Sequence, residues 1–410
     1  MIQKKIDKKI KTNVSKKNTI AKSVAIKSSL NKKVLVKGVL KKIVVKKSAS
    51  KKTINRKKRA ITSVDKKQIN AVVFNKHTDN PIIFPKENND WEAWQTFNPG
   101  VILLENKIHF LYRAIGRDGI SRFGYAASSD GFRINERSFS PVYEHRIGQS
   151  PFFNIYSYFS GGSWGGAEDP RIVRVEGEDV LYMTYTACDE GLRMALTSIK
   201  VSDFLSKKWN WKPPVLISPP GEVNKNWIIF PEKINGKYAV LHSISPEILI
   251  DYFDNLDFNG KTYIQSYYNG KNRKNCWDSW VRGAGAPPIK TKHGWLLFYH
   301  AMSVKNMSQY QVGAMLLDLD NPTNILYRSQ EPVMEPEEWY ENNGFKAGIV
   351  YASGVVVKNG LLLLYYGGSD SYVCVAHAPF EEFVEALIRE GKPKLKIKIV
   401  KKIKNKKQKK

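Results

Sequence analysis

The residues of this sequence best suited to chemistry are two adjacent carboxylates, Glu168 and Asp169, which are followed by Pro170 and Arg171. On an extended strand successive side chains point to opposite faces, so we expect one carboxylate to face a pocket and the other the wall behind it. Pro170 stiffens the chain, and Arg171 supplies a charge that shifts the pKa of the nearby carboxyl groups. The run predicts acid catalysis; a structural Asp-Pro-Arg turn with an internal salt bridge is the alternative.

A second set of polar residues lies at the ends of apolar runs and is mostly basic. Its members are Arg113, Arg193, Lys225, His242 and His300, together with Asp370. Arginine, lysine and histidine that converge on one cavity suit a tetrahedral oxyanion such as phosphate. Any one of them could instead pair with a surface carboxylate, and it is their recurrence at equivalent ends of repeated segments that favours an anion site.

These residues flank a hairpin pattern that occurs five times between Asn98 and Asp370. Each copy is a short apolar strand, a tight polar turn and a second apolar or aromatic strand, and the copies span residues 98–114, 168–187, 228–243, 285–301 and 353–368. Their anchor residues lie 71, 62, 56 and 67 positions apart, which is too irregular for a solenoid but fits decorated propeller blades. We therefore predict an all-β, five-bladed β-propeller in which one end of every hairpin faces a shared pocket.

Turn residues and one helical pattern complete the predicted domain. Asn235-Gly236 and Asn359-Gly360 lie between apolar runs, where a tight reversal is needed. The apolar spacing of residues 379–388 predicts a short amphipathic helix at the C-terminal end of the fold.

The formal net charge of +28 is concentrated at the two ends of the chain. Residues 1–70 hold 24 Lys and Arg against 2 Asp and Glu, residues 391–410 hold 11 against none, and residues 71–390 carry a net charge of −5. The N-terminal arm has too little apolar surface to fold alone, so we predict disordered basic tails at 1–70 and 391–410 around a folded domain at 71–390. Such tails either remain solvated or bind polyanions weakly through counterion release.

Several classes of protein are not expected. No apolar run approaches the length of a secretory signal or a membrane span. Three scattered cysteines, Cys188, Cys276 and Cys374, fit a reducing compartment, and we expect a cytoplasmic protein. These cysteines form no zinc pattern with the seven histidines, and no motif requires a metal or another cofactor.

The order of the motifs resembles glycoside hydrolase family 130 over residues 71–390. The matching motifs are Asn98-Pro99, Tyr112-Arg113-Ala114, Glu168-Asp169-Pro170-Arg171, Phe230-Pro231-Glu232-Lys233, Leu241-His242, Gly285-Ala286-Pro287-Pro288, Phe298-Tyr299-His300 and Tyr366-Gly367-Gly368-Ser369-Asp370. The resemblance implies a five-bladed propeller that acts as an inverting phosphorylase. A β-1,4-mannosyl disaccharide or oligosaccharide would react with inorganic phosphate to give α-mannose 1-phosphate and a shortened sugar.

The resemblance also implies a role for each candidate site residue. Asp169 takes the position of the proton donor, which in that family acts through the 3-hydroxyl of the bound mannose. The positions that contact this mannose are Asn98, Arg113 and Asp370. The phosphate clamp comprises Arg193, Lys225 and His242, with Tyr299 or His300. Phosphate is already anionic, so a phosphorylase needs cations to position it and no second carboxylate.

Ser243 departs from the family pattern, because many of its phosphorylases carry arginine directly after the histidine. The departure keeps two alternatives open. An inverting β-mannoside hydrolase would need a second carboxylate to activate water, for which the candidates are Asp278, Glu335 and Glu247. A non-catalytic glycan-binding propeller would predict a disrupted acid position, whereas the run from Glu168 to Arg171 is intact.

Overall fold

Short strands joined by tight turns make up most of the chain, as the alternation of apolar runs and turn residues predicts. The computed structural model describes residues 74–145, 155–188, 191–266 and 276–390. The predicted tails at 1–70 and 391–410 lie outside these residues. Within the described part, strands far outnumber helices, which confirms the all-β class.

Two antiparallel meanders form the first sheet, which has eight strands. The first meander contains β2 (Gln95–Leu104), β3 (Lys107–Ile115), β4 (Ile120–Ser128) and β5 (Glu136–Arg137). The second contains β6 (Gly165–Arg174), β7 (Val180–Cys188), β8 (Arg193–Lys200) and β9 (Val215–Leu216). A short parallel pairing between β4 and the beginning of β6 joins the two meanders.

Three further meanders follow in chain order, each in its own sheet. The third consists of β10 (Ile228–Ile229), β11 (Tyr238–Ser243) and β12 (Leu249–Phe253). The fourth consists of β13 (Trp280–Ala284), β14 (Ile289–Thr291), β15 (Gly294–Ser303), β16 (Asn306–Leu317) and β17 (Ile325–Arg328). The fifth consists of β18 (Val350–Lys358), β19 (Leu361–Gly368) and β20 (Tyr372–Pro379), with β1 (Asn75–Lys76) paired to β20. The beginning of the described chain thus supplies the outer strand of the last meander.

Four short α-helices lie among the strands of the described residues. They are α1 (Ile155–Gly161), α2 (Val201–Leu205), α3 (Trp339–Asn342) and α4 (Phe380–Glu390), and a 3₁₀ turn spans Asp90–Glu92. Helix α4 confirms the helix predicted over residues 379–388, and its buried residues Phe383 and Leu387 pack against the fourth and fifth meanders. The predicted turns also form, because Asn235-Gly236 and Asn359-Gly360 have the positive φ angles that tight hairpins favour.

Five apolar clusters form the core, and each is shared by two meanders. Leu111 and Leu181 represent the cluster between the first and second meanders, and Met194 and Val240 the cluster between the second and third. Leu241 and Leu297 represent the cluster between the third and fourth meanders, and Phe298 and Leu364 the cluster between the fourth and fifth. Phe110 and Tyr365 represent the cluster between the fifth meander and the first. Every meander therefore packs against two others, and the last packs against the first.

The leading strands of the first two meanders are interrupted at corresponding places. The pairing of β2 with β3 shifts register at Asn98-Pro99, and the pairing of β6 with β7 shifts at Asp169-Pro170. Asn98 and Asp169 both adopt the left-handed backbone conformation, with φ of 44° and 51°. Bulges re-aim side chains, and left-handed non-glycine residues concentrate at functional sites. The two interruptions therefore place an amide and a carboxylate at the centre of the candidate site.

Candidate active site

The left-handed conformation of Asp169 breaks the alternation expected along β6. Both carboxylates reach the same guanidinium: Arg113 Nη1 lies 3.2 Å from Asp169 Oδ1, and Arg113 Nη2 lies 3.1 Å from Glu168 Oε1. The two neighbouring carboxylates therefore share one cation. Asp169 borders a cavity, as expected, while Glu168 is fully buried.

Two cations neutralise these two buried carboxylates. The Lys225 ammonium lies 2.9 Å from Glu168 Oε2 and 3.9 Å from Asp169 Oδ2. Arg113 is fully buried and also donates hydrogen bonds to the hydroxyls of Ser121 and Ser163. Charges removed from water are tolerated when they are paired in this way, because an unpaired buried charge costs several kcal/mol, about 3 or more.

The paired cations keep the Asp169 carboxyl ionised. Burial alone would raise the pKa of Asp169, but Lys225 and Arg113 outweigh it, and the amide of Asn98, which donates to Asp169 Oδ1 at 2.9 Å, adds to their effect. The pKa of Asp169 is therefore held well below its usual range. Arg171 contributes less than these two cations, because its guanidinium donates to the main-chain oxygen of Asp169 at 2.6 Å rather than to the carboxylate.

Asp169 borders a cavity of about 340 Å³, a volume typical of small-molecule sites. All five meanders contribute to its wall, through Asn98, Asp169, Asn226, Arg282 and Tyr351 respectively. Because each of these residues lies in or directly before the leading strand of its meander, the corresponding ends of the five meanders meet at one cavity, as the repeat pattern predicts.

A much smaller cavity, of about 20 Å³, adjoins the first and shares Lys225 and Arg282 with it. His242 and Ser243 line this smaller cavity. Neither ring nitrogen of His242 has a hydrogen-bond partner among the described residues, although the side chain is buried. Burial lowers the pKa of His242, and Asp251, 3.8 Å from Nε2, opposes this shift only in part.

Five of the predicted site residues border these cavities. Asn98, Asp169, Lys225 and Asp370 line the large cavity, and His242 lines the small one. Arg113 does not line either; it lies beneath the carboxylates and holds them in place. These ion pairs are contacts that the structure shows for Arg113, and its contact with a sugar stays a prediction.

Three residues predicted for the anion clamp lie elsewhere in the described structure. Arg193 donates to the carbonyl oxygen of Ser218 at 2.6 Å and lines neither cavity. Tyr299 is buried in the core between the third and fourth meanders, where its hydroxyl donates to Asp278. The ring of His300 stacks on Tyr351 at a centroid distance of 3.8 Å and supports this cavity residue from behind. Burial lowers the pKa of His300 to about 3, so it is uncharged at neutral pH.

Sequence reasoning missed two cations at the cavity wall. Arg282 borders both cavities, and its Nε donates to the hydroxyl of Tyr310 at 2.7 Å. Lys346 borders the large cavity and lies 3.2 Å from Asp370 Oδ2. Gly283 could have indicated that Arg282 lies at a binding site, because a glycine lets the backbone approach a ligand closely. Lys346 lies between α3 and β18 in a stretch without any periodic pattern.

The candidate second carboxylates of a hydrolase do not border the large cavity. Asp278 is buried and lies 2.8 Å from the guanidinium of Arg328. Glu247 and Glu335 are exposed and are absent from the cavity wall. Besides Asp169, Asp370 is the carboxylate that the described part of the structure places there.

Metal ligation and membrane insertion find no support in the residues that the structure describes. No group of three or more His, Cys, Asp or Glu side chains there could hold a metal ion. None of the helices in the same residues has the length and apolarity that crossing a bilayer requires.

Comparison with known proteins adds a consistent set of relatives. Residues 75–389 match the model of a family described as beta-1,4-mannooligosaccharide phosphorylase, Glyco_hydro_130. The chain is 37% identical to a 1,2-beta-oligomannan phosphorylase and 33% identical to a beta-1,2-mannobiose phosphorylase, both from Thermoanaerobacter sp. strain X514; each match covers 71% of this chain and 92% of the relative. The structure of the Listeria innocua beta-1,2-mannobiose phosphorylase in complex with beta-1,2-mannobiose superposes with a TM-score of 0.60 at 25% identity, covering 77% of this chain and 99% of the other.

Proposed function

Because this chain belongs to glycoside hydrolase family 130, the mannoside phosphorylase family, we propose that it cleaves β-mannosides by inverting phosphorolysis. A phosphate oxygen bonds to C1 of the terminal mannose as the bond from C1 to the glycosidic oxygen breaks. The leaving oxygen takes a proton, and the products are α-mannose 1-phosphate and a sugar shortened by one mannose. The observation that carries this proposal is that one cavity holds Asp169 together with the cations Lys225 and Arg282.

Asp169 is the proton donor in this proposal, and its neighbours fix its position. The left-handed backbone, the Asn98 amide and the Arg113 guanidinium each restrict the orientation of the carboxyl group. Asn98 and Asp370 border the same cavity, where they can bind the hydroxyls of the cleaved mannose. The proton passes through the 3-hydroxyl of this mannose, so Asp169 does not need to contact the glycosidic oxygen.

Phosphate binds at the junction of the large and small cavities. Lys225 and Arg282 border both, and His242 lines the small one, so three basic side chains surround this junction. Ser243 occupies the position where many phosphorylases of the family carry arginine. Arg282 brings a guanidinium from the next meander to the small cavity that Ser243 lines, and it thus replaces the charge missing at Ser243.

Binding of phosphate also favours the protonation of Asp169. In the unliganded site Lys225 and Arg113 hold Asp169 ionised, whereas a proton donor must be protonated. A phosphate dianion that binds Lys225 weakens the attraction between this cation and Asp169 and adds negative charge nearby. Both effects raise the pKa of Asp169. Phosphate therefore binds before proton transfer, and the acid takes up its proton in response.

A hydrolase remains the less favourable alternative. It would need a carboxylate to activate water, and Asp370, the second carboxylate of the cavity, is occupied by its ion pair with Lys346. The cations around the cavity junction instead suit an anionic nucleophile. Both features favour phosphorolysis.

We further propose that the five meanders are the blades of a β-propeller. The cyclic order of the five core clusters supports this arrangement, because the fifth cluster joins the last meander to the first. Strand β1 supports it as well, since its pairing with β20 combines both ends of the described chain in one sheet. The cavity would then lie on the propeller axis, where the leading strands meet.

The linkage that we propose is β-1,2 rather than the β-1,4 linkage that the sequence motifs imply. The relatives that are 37% and 33% identical are named for β-1,2-mannosides. Incubation with phosphate and either β-1,2- or β-1,4-mannobiose tests this choice, with mannose 1-phosphate as the measured product. We expect faster release from the β-1,2 disaccharide, and a preference for the β-1,4 disaccharide would contradict the proposed linkage.

A further inference from the structure

Helix α1 connects the buried carboxylates to the surface. Ser157 and Ser160, three residues apart, both donate hydrogen bonds to Glu168, at 2.9 and 2.5 Å. Tyr156 and Phe159, also three residues apart, border the large cavity. Residues at this spacing share one face of a helix. One face of α1 therefore binds the carboxylate site, and an adjacent face presents aromatic rings to the cavity mouth.

The aromatic rings continue from α1 onto the surrounding surface. Tyr158 contacts Phe159 and Phe345, with ring centroids 6.1 and 6.0 Å apart, and Phe345 contacts Trp94 at 5.7 Å. We name these four residues together with Tyr156 the aromatic ridge: Trp94, Tyr156, Tyr158, Phe159 and Phe345.

The aromatic ridge is unusually exposed for apolar surface. Phe159 is 69% exposed, Tyr156 55% and Trp94 43%. Of the fifteen large apolar side chains that are exposed in the described residues, five fall in the ten positions 155–164. Single exposed apolar residues are ordinary, but a contiguous patch marks a binding surface.

We infer that the aromatic ridge binds the mannose units beyond the cleaved bond, so that the enzyme selects oligosaccharides over the disaccharide. The substrate class in this inference rests on the proposed function. A pyranose presents an apolar face of C–H groups, and an aromatic face attracts them through the negative charge above its ring. Because Tyr156 and Phe159 border the cavity itself, the ridge lies within reach of a chain that extends from the cleaved mannose.

A second contact fixes the ridge relative to the cleaved sugar. The Lys346 ammonium donates to the carbonyl oxygen of Phe159 at 2.6 Å and pairs with Asp370. It therefore joins α1 to a residue of the cavity wall. A protein partner on this surface would cover the cavity mouth, which favours a glycan as the occupant.

Binding by calorimetry in phosphate-free buffer tests the inference. We expect the wild-type protein to bind β-1,2-mannotetraose about tenfold more tightly than β-1,2-mannobiose. The double variant Trp94→Ala/Phe159→Ala should bind the two sugars with similar affinity. The control Phe139→Ala removes an aromatic ring that is 86% exposed and does not border the cavity, and it should keep the ratio.

Two results would overturn the inference: an unchanged ratio in the double variant, or a change in its oligomeric mass, which would make the ridge an interface between copies of this chain. Failure of the proposed function is separate. If the wild-type protein binds longer chains more tightly but never forms mannose 1-phosphate, the role of the aromatic ridge stands and phosphorolysis is refuted. A protein that phosphorolyses mannobiose without any preference for longer chains would refute the ridge alone.

Discussion

Asp169 combines burial with a negative charge, and this combination explains much of the site. Two buried cations and one amide stabilise its carboxylate. In the proposed mechanism the same contacts make it a poor proton donor until an anion binds nearby. The proposed acid and the proposed anion site would therefore depend on each other.

Replacing Asp169 tests its role as the proton donor. We expect Asp169→Asn to lower kcat about 10³-fold, since general acid catalysis commonly contributes a factor of this size. Glu168 still pairs with Arg113 and Lys225 in the variant, so the fold should persist, as circular dichroism would show. Turnover close to that of the wild type would refute the assignment.

Anion binding should be coupled to proton uptake. Sulfate itself does not titrate at pH 5, so any protons taken up from the buffer when it binds are bound by the protein. Because the pKa of Asp169 starts below its usual range and a bound anion raises it, we expect wild-type protein at pH 5 to take up more protons than Asp169→Asn. Calorimetry in buffers of different ionisation enthalpy measures this difference. Equal uptake by the two proteins would rule out the coupling.

Arg282 should govern the affinity for phosphate. We expect Arg282→Met to raise the KM for phosphate about tenfold, because a charge-assisted contact is lost, with a much smaller effect on the KM for the mannoside. Arg117→Met is the control, because Arg117 is 64% exposed and does not border either cavity. A loss of kcat without a change in the KM for phosphate would argue against the assigned role.

The motifs predicted a proton donor at Asp169, which lines the large cavity, but residue positions alone did not predict which basic side chains border it. Arg193 begins β8, but Tyr299 and His300 lie inside β15 rather than at its end, and the three side chains contact Ser218, Asp278 and Ala352. A sequence pattern shows that a residue belongs to a strand. It does not show which way the side chain points when a bulge disturbs the alternation. Such bulges occur next to both Asp169 and His300.

At the scale of elements, the hairpins and their turns were predictable, because apolar runs and Asn-Gly pairs define them locally. Three features of these elements were not predictable from the sequence. The bulges depend on packing between meanders, the pairing of β4 with β6 joins distant segments, and β1 contains only two residues. Helix α1 was also missed, since its surroundings are rich in glycine, serine and aromatics rather than in helix-forming residues.

Strand β1 should contribute substantially to stability through one buried ion pair. The Lys76 ammonium lies 2.7 Å from Glu341 Oε2, and both side chains are buried. We expect Lys76→Met to leave this carboxylate unpaired and to lower the free energy of unfolding by about 3 kcal/mol. Lys292→Met should change it by less than about 0.5 kcal/mol, because the pair of Lys292 with Glu381 is exposed. Urea denaturation compares the two variants, and similar losses of stability would contradict the importance of the Lys76–Glu341 ion pair.

The whole molecule combines five similar meanders with one asymmetric site. Their leading strands supply corresponding positions around one cavity, yet each position carries a different group, from the amide of Asn98 to the guanidinium of Arg282. The repeat was visible in the sequence, and so was the family. The absence of an arginine at Ser243 was visible too, whereas the proposal that Arg282 replaces it required the structure, in which both residues line the small cavity.

The most direct test of phosphorolysis follows the products of β-1,2-mannobiose by ³¹P and ¹H NMR, with and without inorganic phosphate. We predict that mannose 1-phosphate forms only when phosphate is present, that its anomeric configuration is α from the first turnover, and that one mannose is released for each molecule formed. Release of two mannose molecules per disaccharide in the absence of phosphate would contradict the account and identify a hydrolase.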